Sequence, residues 1–137
     1  MPAKTLLLID DDQMFLEPLV DALTFEGYRV LTARTGEEGL AYLAKESVDL
    51  VTVDIMLDPG DSLQDKVTSQ TTGVFLCGEI RRLYPHMNVF CISVVSDPET
   101  VAPIHKLGIR VLNKGEISLR KVLELLRASL SGIVYSR

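Results

Sequence analysis

The chain has 137 residues, 47% of them hydrophobic and 24% charged, with a formal net charge of −5. That length suits one domain around a single core, and the acidic balance argues against a general nucleic-acid-binding role, which would show a basic face. No apolar run approaches the roughly 20 residues that cross a bilayer, and the N-terminus lacks the basic region and cleavage site of a signal peptide, so a cytoplasmic protein is expected.

Residues 5–9 (TLLLI) form a short, continuous apolar run, the pattern of a strand buried on both faces. Leu16, Leu19, Val20 and Leu23 come next at i, i+3, i+4, i+7 spacing and predict a helix that Gly27 stops. Pro18 falls within it, so the helix is expected to start late or to bend there. Residues 28–32 (YRVLT) read as a second strand. Thr35 and Glu38 have capping-box spacing and open a helix through Leu40, Leu43 and Ala44. Residues 49–53 (DLVTV) read as a third strand, ending at Asp54.

The rhythm then breaks. Residues 58–72 are polar, carry Pro59 and Gly60, and show little periodicity. A helix resumes with Leu76, Ile80 and Leu83 on one face, and residues 88–93 (NVFCIS) make a fourth strand. Asp97 and Pro98 predict an N-cap and first helical residue. Pro103 makes that helix short or distorted, and Gly108 ends it. Residues 109–112 (IRVL) form a fifth strand. Leu119, Val122, Leu123, Leu126 and Leu130 mark a last amphipathic helix. Strand–helix alternation of this kind implies an α/β fold, a parallel sheet with helices on both faces and right-handed crossovers. Cys77 and Cys91, each in an apolar stretch, read as reduced, buried thiols.

Ligands of open parallel sheets bind beyond the carboxyl ends of the strands. The residues at those ends are therefore informative: Asp10, Asp11 and Asp12 after the first strand, Asp54 after the third, Ser93 closing the fourth, Asn113 and Lys114 after the fifth. Clustered carboxylates without a nearby arginine call for a hard divalent cation, and magnesium takes oxygen ligands while sharing its site with phosphate. A hydroxyl and an ammonium opposite could hold phosphoryl oxygens. Asp54 is then a candidate nucleophile, since carboxylates form acyl phosphates.

These residues resemble the receiver domains of two-component response regulators, from Thr5 to Leu130. The likeness rests on the acidic pair in LLLIDDDQ, Asp54 in DLVTVDIML, Ser93 in VFCIS, Lys114 in RVLNKG, and the stretch ARTGEEGLAYLAKESVDLVTVD. It implies a CheY-like, flavodoxin-like doubly wound fold with strand order 2-1-3-4-5, in one domain spanning residues 1–137 with an insertion at about 58–72. It further implies that Asp54 accepts a phosphoryl group from a histidine kinase or phosphotransfer protein. In that reading Asp10, Asp11, Asp54 and the Met56 carbonyl hold Mg2+, and Ser93 and Lys114 engage the phosphoryl group. The output would be a conformational switch read by a protein target, with no direct nucleic-acid or membrane partner. The chain would be no enzyme beyond its own phosphorylation and dephosphorylation. The resemblance leaves room for a homodimer through the face of helix four, strand five and helix five.

Several positions depart from the family pattern. Val111 stands where an aromatic residue is common, Gly115 where proline usually comes after the lysine, and Val94 where a small residue is usual. The loop after Asp54 is long, with Gly73 as the helix-start glycine, and is expected to be a flap beside the site or a surface insertion. Its acids Asp58, Asp61 and Asp65 read as solvated, Asp12 as a helix cap or a local field, and His86 and His105 as surface histidines. Two other functions fit parts of the sequence: a receiver-like interaction module that is never phosphorylated, and a haloacid-dehalogenase-like phosphatase with Asp10 as nucleophile and Asp12 as acid–base. Met14 and the missing acidic pair after Lys114 count against the phosphatase.

Overall fold

A computed structural model describes residues 3–63, 71–94 and 97–132. Five parallel strands, β1 (Thr5–Ile9), β2 (Arg29–Ala33), β3 (Leu50–Val53), β4 (Asn88–Ser93) and β5 (Arg110–Asn113), line up in the order β2-β1-β3-β4-β5. They alternate with five helices: α1 (Gln13–Phe25), α2 (Gly36–Lys45), α3 (Thr72–Leu83), α4 (Pro98–Lys106) and α5 (Leu119–Leu130). This is the expected doubly wound α/β fold.

Period-two alternation in the strands divides the core into two layers. Leu6 and Leu8 of β1 face Leu16, Leu19 and Leu23 of α1 and Val122, Leu125 and Leu126 of α5. Leu7 and Ile9 face the other way, with Leu43 of α2, Leu76, Cys77 and Ile80 of α3, and Ile104 of α4. Each fully buried leucine or isoleucine contributes roughly 1.5–3 kcal/mol of transfer free energy. Both cysteines are free and buried, as expected. Leu83 is not on the buried face of α3: it is 48% exposed, and Cys77 takes the inward position beside Leu76 and Ile80.

Local capping agrees with the sequence, with adjustments. Thr35 Oγ1 accepts the Glu38 N–H at 3.1 Å, but the Glu38 carboxylate reaches back to the Arg34 N–H at 2.7 Å rather than to the cap residue's own amide. Asp97 caps α4 by accepting the Thr100 N–H at 3.0 Å. Pro18 does not delay α1, which runs from Gln13 through it. The carbonyl deprived of a donor belongs to Met14, an 89% exposed residue. Pro103 lies in the short α4 in the same way.

The register lines up the carboxyl ends of the inner strands. Ile9 pairs with both Ala33 and Val53, Val53 with Cys91, and Ser93 with Asn113. The residues just beyond β1, β3 and β5 therefore emerge together at one edge.

The first part of the long loop after β3 is docked, not loose. Asp58 and Pro59 carbonyls accept the Gly36 and Glu37 N–H groups at 2.9 and 2.8 Å, so the loop satisfies donors that the first turn of α2 cannot. A single 3-10 turn, Asp61–Leu63, buries Leu63. Gly60 has φ +90°, and a Cβ there would stand 2.5 Å from Glu37 Cβ. Asp58 and Asp61 are exposed, as expected of solvated acids; Asp65 lies outside the described residues.

Candidate functional site

The site is built where β1, β3 and β5 end. The Asp10 and Asp54 main-chain N–H groups extend the sheet, donating to Ala33 O at 2.9 Å and Ile9 O at 3.0 Å. That fixes two carboxylates side by side, both almost wholly buried. Asp11, next along, is exposed. One carboxylate oxygen from each of Asp10, Asp11 and Asp54 lies within 4.8 Å of the others.

Tight local turns hold these groups. Asp10 Oδ1 accepts the Asp12 N–H at 2.8 Å, and Asp54 Oδ1 accepts the Met56 N–H at 3.3 Å. Helix α3 begins directly beneath: Gly73 N–H donates to Ile55 O at 2.9 Å, and a Cβ on Gly73 would lie 2.3 Å from Asp54 O. No residue but glycine fits there without moving the backbone that carries Asp54.

Lys114 enters this acidic pocket from β5. Its Nζ lies 2.8 Å from Asp10, 3.4 Å from Asp54 and 3.5 Å from Asp12, with only 8% of the side chain exposed. The ammonium also sits 4.7 Å from the centre of the Phe15 ring, in cation–π range. Burial pulls the Lys114 pKa down, but Asp10, Asp54 and Asp12 outweigh it and hold the ammonium above its ordinary value. Asp10 moves up to about 7, chiefly because burial strips water from its carboxylate and partly because Asp54 is a like charge nearby, despite the Lys114 hydrogen bond. One ammonium does not balance the pocket. The donor set is all oxygen and retains negative charge, the chemistry that suits a hard divalent cation.

A sequence model of the response regulator receiver domain matches residues 6–126. The chain belongs to that family. It is 41% identical over 98 residues, 71% of its length, to the transcriptional regulatory protein GlrR of Escherichia coli K12, and spans 20% of that relative. It is 28% identical over 133 residues, 97% of its length, to a cyclic di-GMP phosphodiesterase of Thermotoga maritima, spanning 32% of it. The chain therefore covers about a fifth to a third of these relatives. A solved CheY-like receiver domain from Methanospirillum hungatei JF-1 superposes with a TM-score of 0.79 at 26% identity, covering 95% of both chains.

Of the receiver residues expected from the sequence, Asp10 and Asp54 contact Lys114, and Asp11 brings a carboxylate oxygen within 4.8 Å of theirs. Ser93 is fully buried at the end of β4, and its carbonyl accepts the Lys114 N–H at 3.0 Å. Met56 lies over Asp54 through its N–H. Val94, directly after β4, is 62% exposed. His86 and His105 are exposed. Asp12 fills both duties considered for it: Oδ1 accepts the Phe15 N–H at 3.2 Å as the α1 cap, and Oδ2 faces Lys114.

One member of the site is not evident from the sequence. Phe15 is visible there only as an apolar residue one place before the α1 stripe. Asn113, expected just beyond β5, closes that strand, and its side-chain Oδ1 accepts the Gly115 N–H at 2.8 Å. The Asn-Lys-Gly order is a turn signal that agrees with this hydrogen bond.

Proposed function

We propose that Asp54 is the phosphoacceptor of this receiver domain, taking a phosphoryl group from a phosphohistidine on a sensor kinase or phosphotransfer protein. The observation that carries this reading is one pocket in which a buried strand-end carboxylate, two further carboxylates and a buried ammonium all meet.

The chemistry stems from the groups. An Asp54 carboxylate oxygen attacks phosphorus. A P–O bond forms as the P–N bond breaks, and the electron pair returns to the imidazole. The transferring group is charge-rich, so catalysis is positioning and neutralisation. Lys114, 3.4 Å from Asp54, supplies one fixed positive charge for the phosphoryl oxygens. Asp10, Asp11, Asp54 and the Met56 carbonyl would hold Mg2+, which when bound neutralises charge on the transferring group. Ser93, buried at the end of β4, would donate its hydroxyl to the phosphoryl group. Lys114 shifting from Asp10 towards the new phosphate would alter the β5–α5 loop, a two-state change readable by a downstream protein. In this reading the chain catalyses only its own phosphorylation and dephosphorylation, in the cytoplasm. The phosphatase alternative is disfavoured: Asp10 is buried between Lys114 and the Asp12 N–H, and Asp12 is engaged as a helix cap.

Intact-protein mass after incubation with Mg2+ and acetyl phosphate tests the reading. One phosphoryl adduct is expected on wild type and none on Asp54→Ala or in metal-free samples. An adduct that survives Asp54→Ala and disappears in Asp10→Asn would move the nucleophile to Asp10. No adduct from acetyl phosphate or from a phosphohistidine donor would leave a receiver fold used only for protein contact.

A further inference from the structure

The segment after β5 must hold a buried lysine while passing through an exposed glycine. Glycine is the residue that gives a loop most freedom, yet Gly115 stands directly after Lys114. Something must restrain the turn, and three hydrogen bonds return to one residue. Asn113 Oδ1 accepts the Gly115 N–H at 2.8 Å, and Asn113 O accepts the Glu116 and Ile117 N–H groups, each at 3.0 Å. Side chain and carbonyl together close the loop behind Lys114. In front, the Lys114 N–H is tied to Ser93 O at 3.0 Å. The lysine is therefore gripped between β4 and the Asn113 turn, and its Nζ reaches Asp10 and Asp54 from that fixed base. A Cβ at position 115 would come within 3.3 Å of Asn113 Oδ1, so the glycine and the asparagine fit each other.

We infer that Asn113 is a positioning residue for Lys114: its side-chain turn fixes the loop that delivers the ammonium to the phosphoryl-transfer site. This rests on Asp54 being the phosphoacceptor. Asn113 itself does not contact the reacting groups. Its hydrogen bond to Gly115 substitutes for rigidity that the glycine cannot supply.

The test is a double-mutant cycle with two independent readouts. In the first, the rate of phosphoryl uptake from acetyl phosphate is measured for wild type, N113A, K114A and N113A/K114A. N113A should slow uptake roughly three- to tenfold, the reach of one net hydrogen bond, and should add nothing in the K114A background. Equal slowing in both backgrounds, or none in either, overturns the proposal. In the second, exchange of the Gly115 amide hydrogen is measured; it should be protected in wild type and fast in N113A while core-strand amides are unchanged. An unprotected Gly115 amide in wild type, or unchanged protection in N113A, also overturns it. Should N113A fail to fold, N113S carries the test, since its hydroxyl closes the same turn more weakly and should give intermediate protection and rate. The exchange readout does not require phosphorylation. A wild type that takes up no phosphoryl group therefore counts against Asp54 as phosphoacceptor, while the exchange result still decides whether Asn113 holds the turn.

Discussion

The two edges of the sheet handle charge differently. At the amino-terminal edge, Arg29 and Glu46 form a two-pronged pair at 3.1 and 3.4 Å with side chains 49% and 34% exposed, and Asp49 accepts the Thr5 N–H at 2.8 Å. At the carboxyl-terminal edge, Asp10, Asp12 and Asp54 all lie within 3.5 Å of Lys114 Nζ, and three of the four side chains are less than a tenth exposed. Water screens the first arrangement, and the arginine there has its own anion. The second is short of positive charge and short of water. An edge that leaves carboxylates under-compensated is disfavoured for folding alone, and that is the physical reason to look for chemistry there.

The largest effect should come from removing the cation inside the pocket. Lys114→Ala leaves Asp10 and Asp54 buried without its counter-charge. We expect a loss of about 3–5 kcal/mol in metal-free protein at neutral pH, measured by urea unfolding and partly restored by Mg2+. Phosphoryl uptake should fall on the order of a hundredfold, as when one fixed electrostatic donor is removed from a transfer site. A stability change no larger than that of an exposed pair would erase the contrast between the edges.

The pH dependence sharpens the same contrast. Asp10 ionises at its ordinary 3.8 in the unfolded chain but at about 7 in the folded protein. Between those values the folded state keeps a proton that the unfolded state has lost. Rising pH therefore favours unfolding across that window, and the Asp10 contribution is greatest below 3.8 and gone above about 7. The full linkage is at most about 4 kcal/mol. Denaturant midpoints of the metal-free protein should fall through this range, and added Mg2+ should reverse the decline. Asp10→Asn should flatten the profile and remove the Mg2+ response.

Most of the strand-end chemistry was readable because it is local: each acid sits behind an apolar run that could only be a buried strand. The α/β alternation was legible for the same reason, and even Asp97-Pro98 announced its cap. What escaped depends on residues distant in sequence. Nothing near Pro59 or Gly60 signals that they meet the first turn of α2. Leu83 fits the helical stripe of α3, yet the face that meets the core runs through Leu76, Cys77 and Ile80 to Tyr84, which leaves Leu83 48% exposed beside it. Pro18 suggested an interrupted helix because the cost of its missing donor depends on whether water reaches the Met14 carbonyl, which only the fold decides.

The docked loop offers a prediction of intermediate size that separates loop from pocket. Gly60→Ala must place a Cβ at φ +90° and 2.5 Å from Glu37 Cβ. Left-handed backbone at a non-glycine residue costs about 1–3 kcal/mol, so the variant should lose stability in that range, with its phosphoryl uptake unchanged. Faster amide exchange at Gly36 and Glu37, whose donors the loop accepts, would locate the damage at the α2 start.

The smallest effect belongs to the amino-terminal edge. Arg29→Ala removes both prongs of the Arg29–Glu46 pair. Each partner is substantially exposed, so water replaces the lost contacts, and an exposed pair of this kind contributes about 0.2–1 kcal/mol. The change should shrink further at high salt, because screening already weakens the pair, whereas the cost of Lys114→Ala should persist there because its carboxylates are buried. Phosphoryl uptake should not move, since β2 carries no group of the pocket. Measuring both variants at low and high salt, by the same urea unfolding, isolates burial as the cause of the difference between the edges. If Arg29→Ala proved as costly and as salt-insensitive as Lys114→Ala, burial would not be that cause.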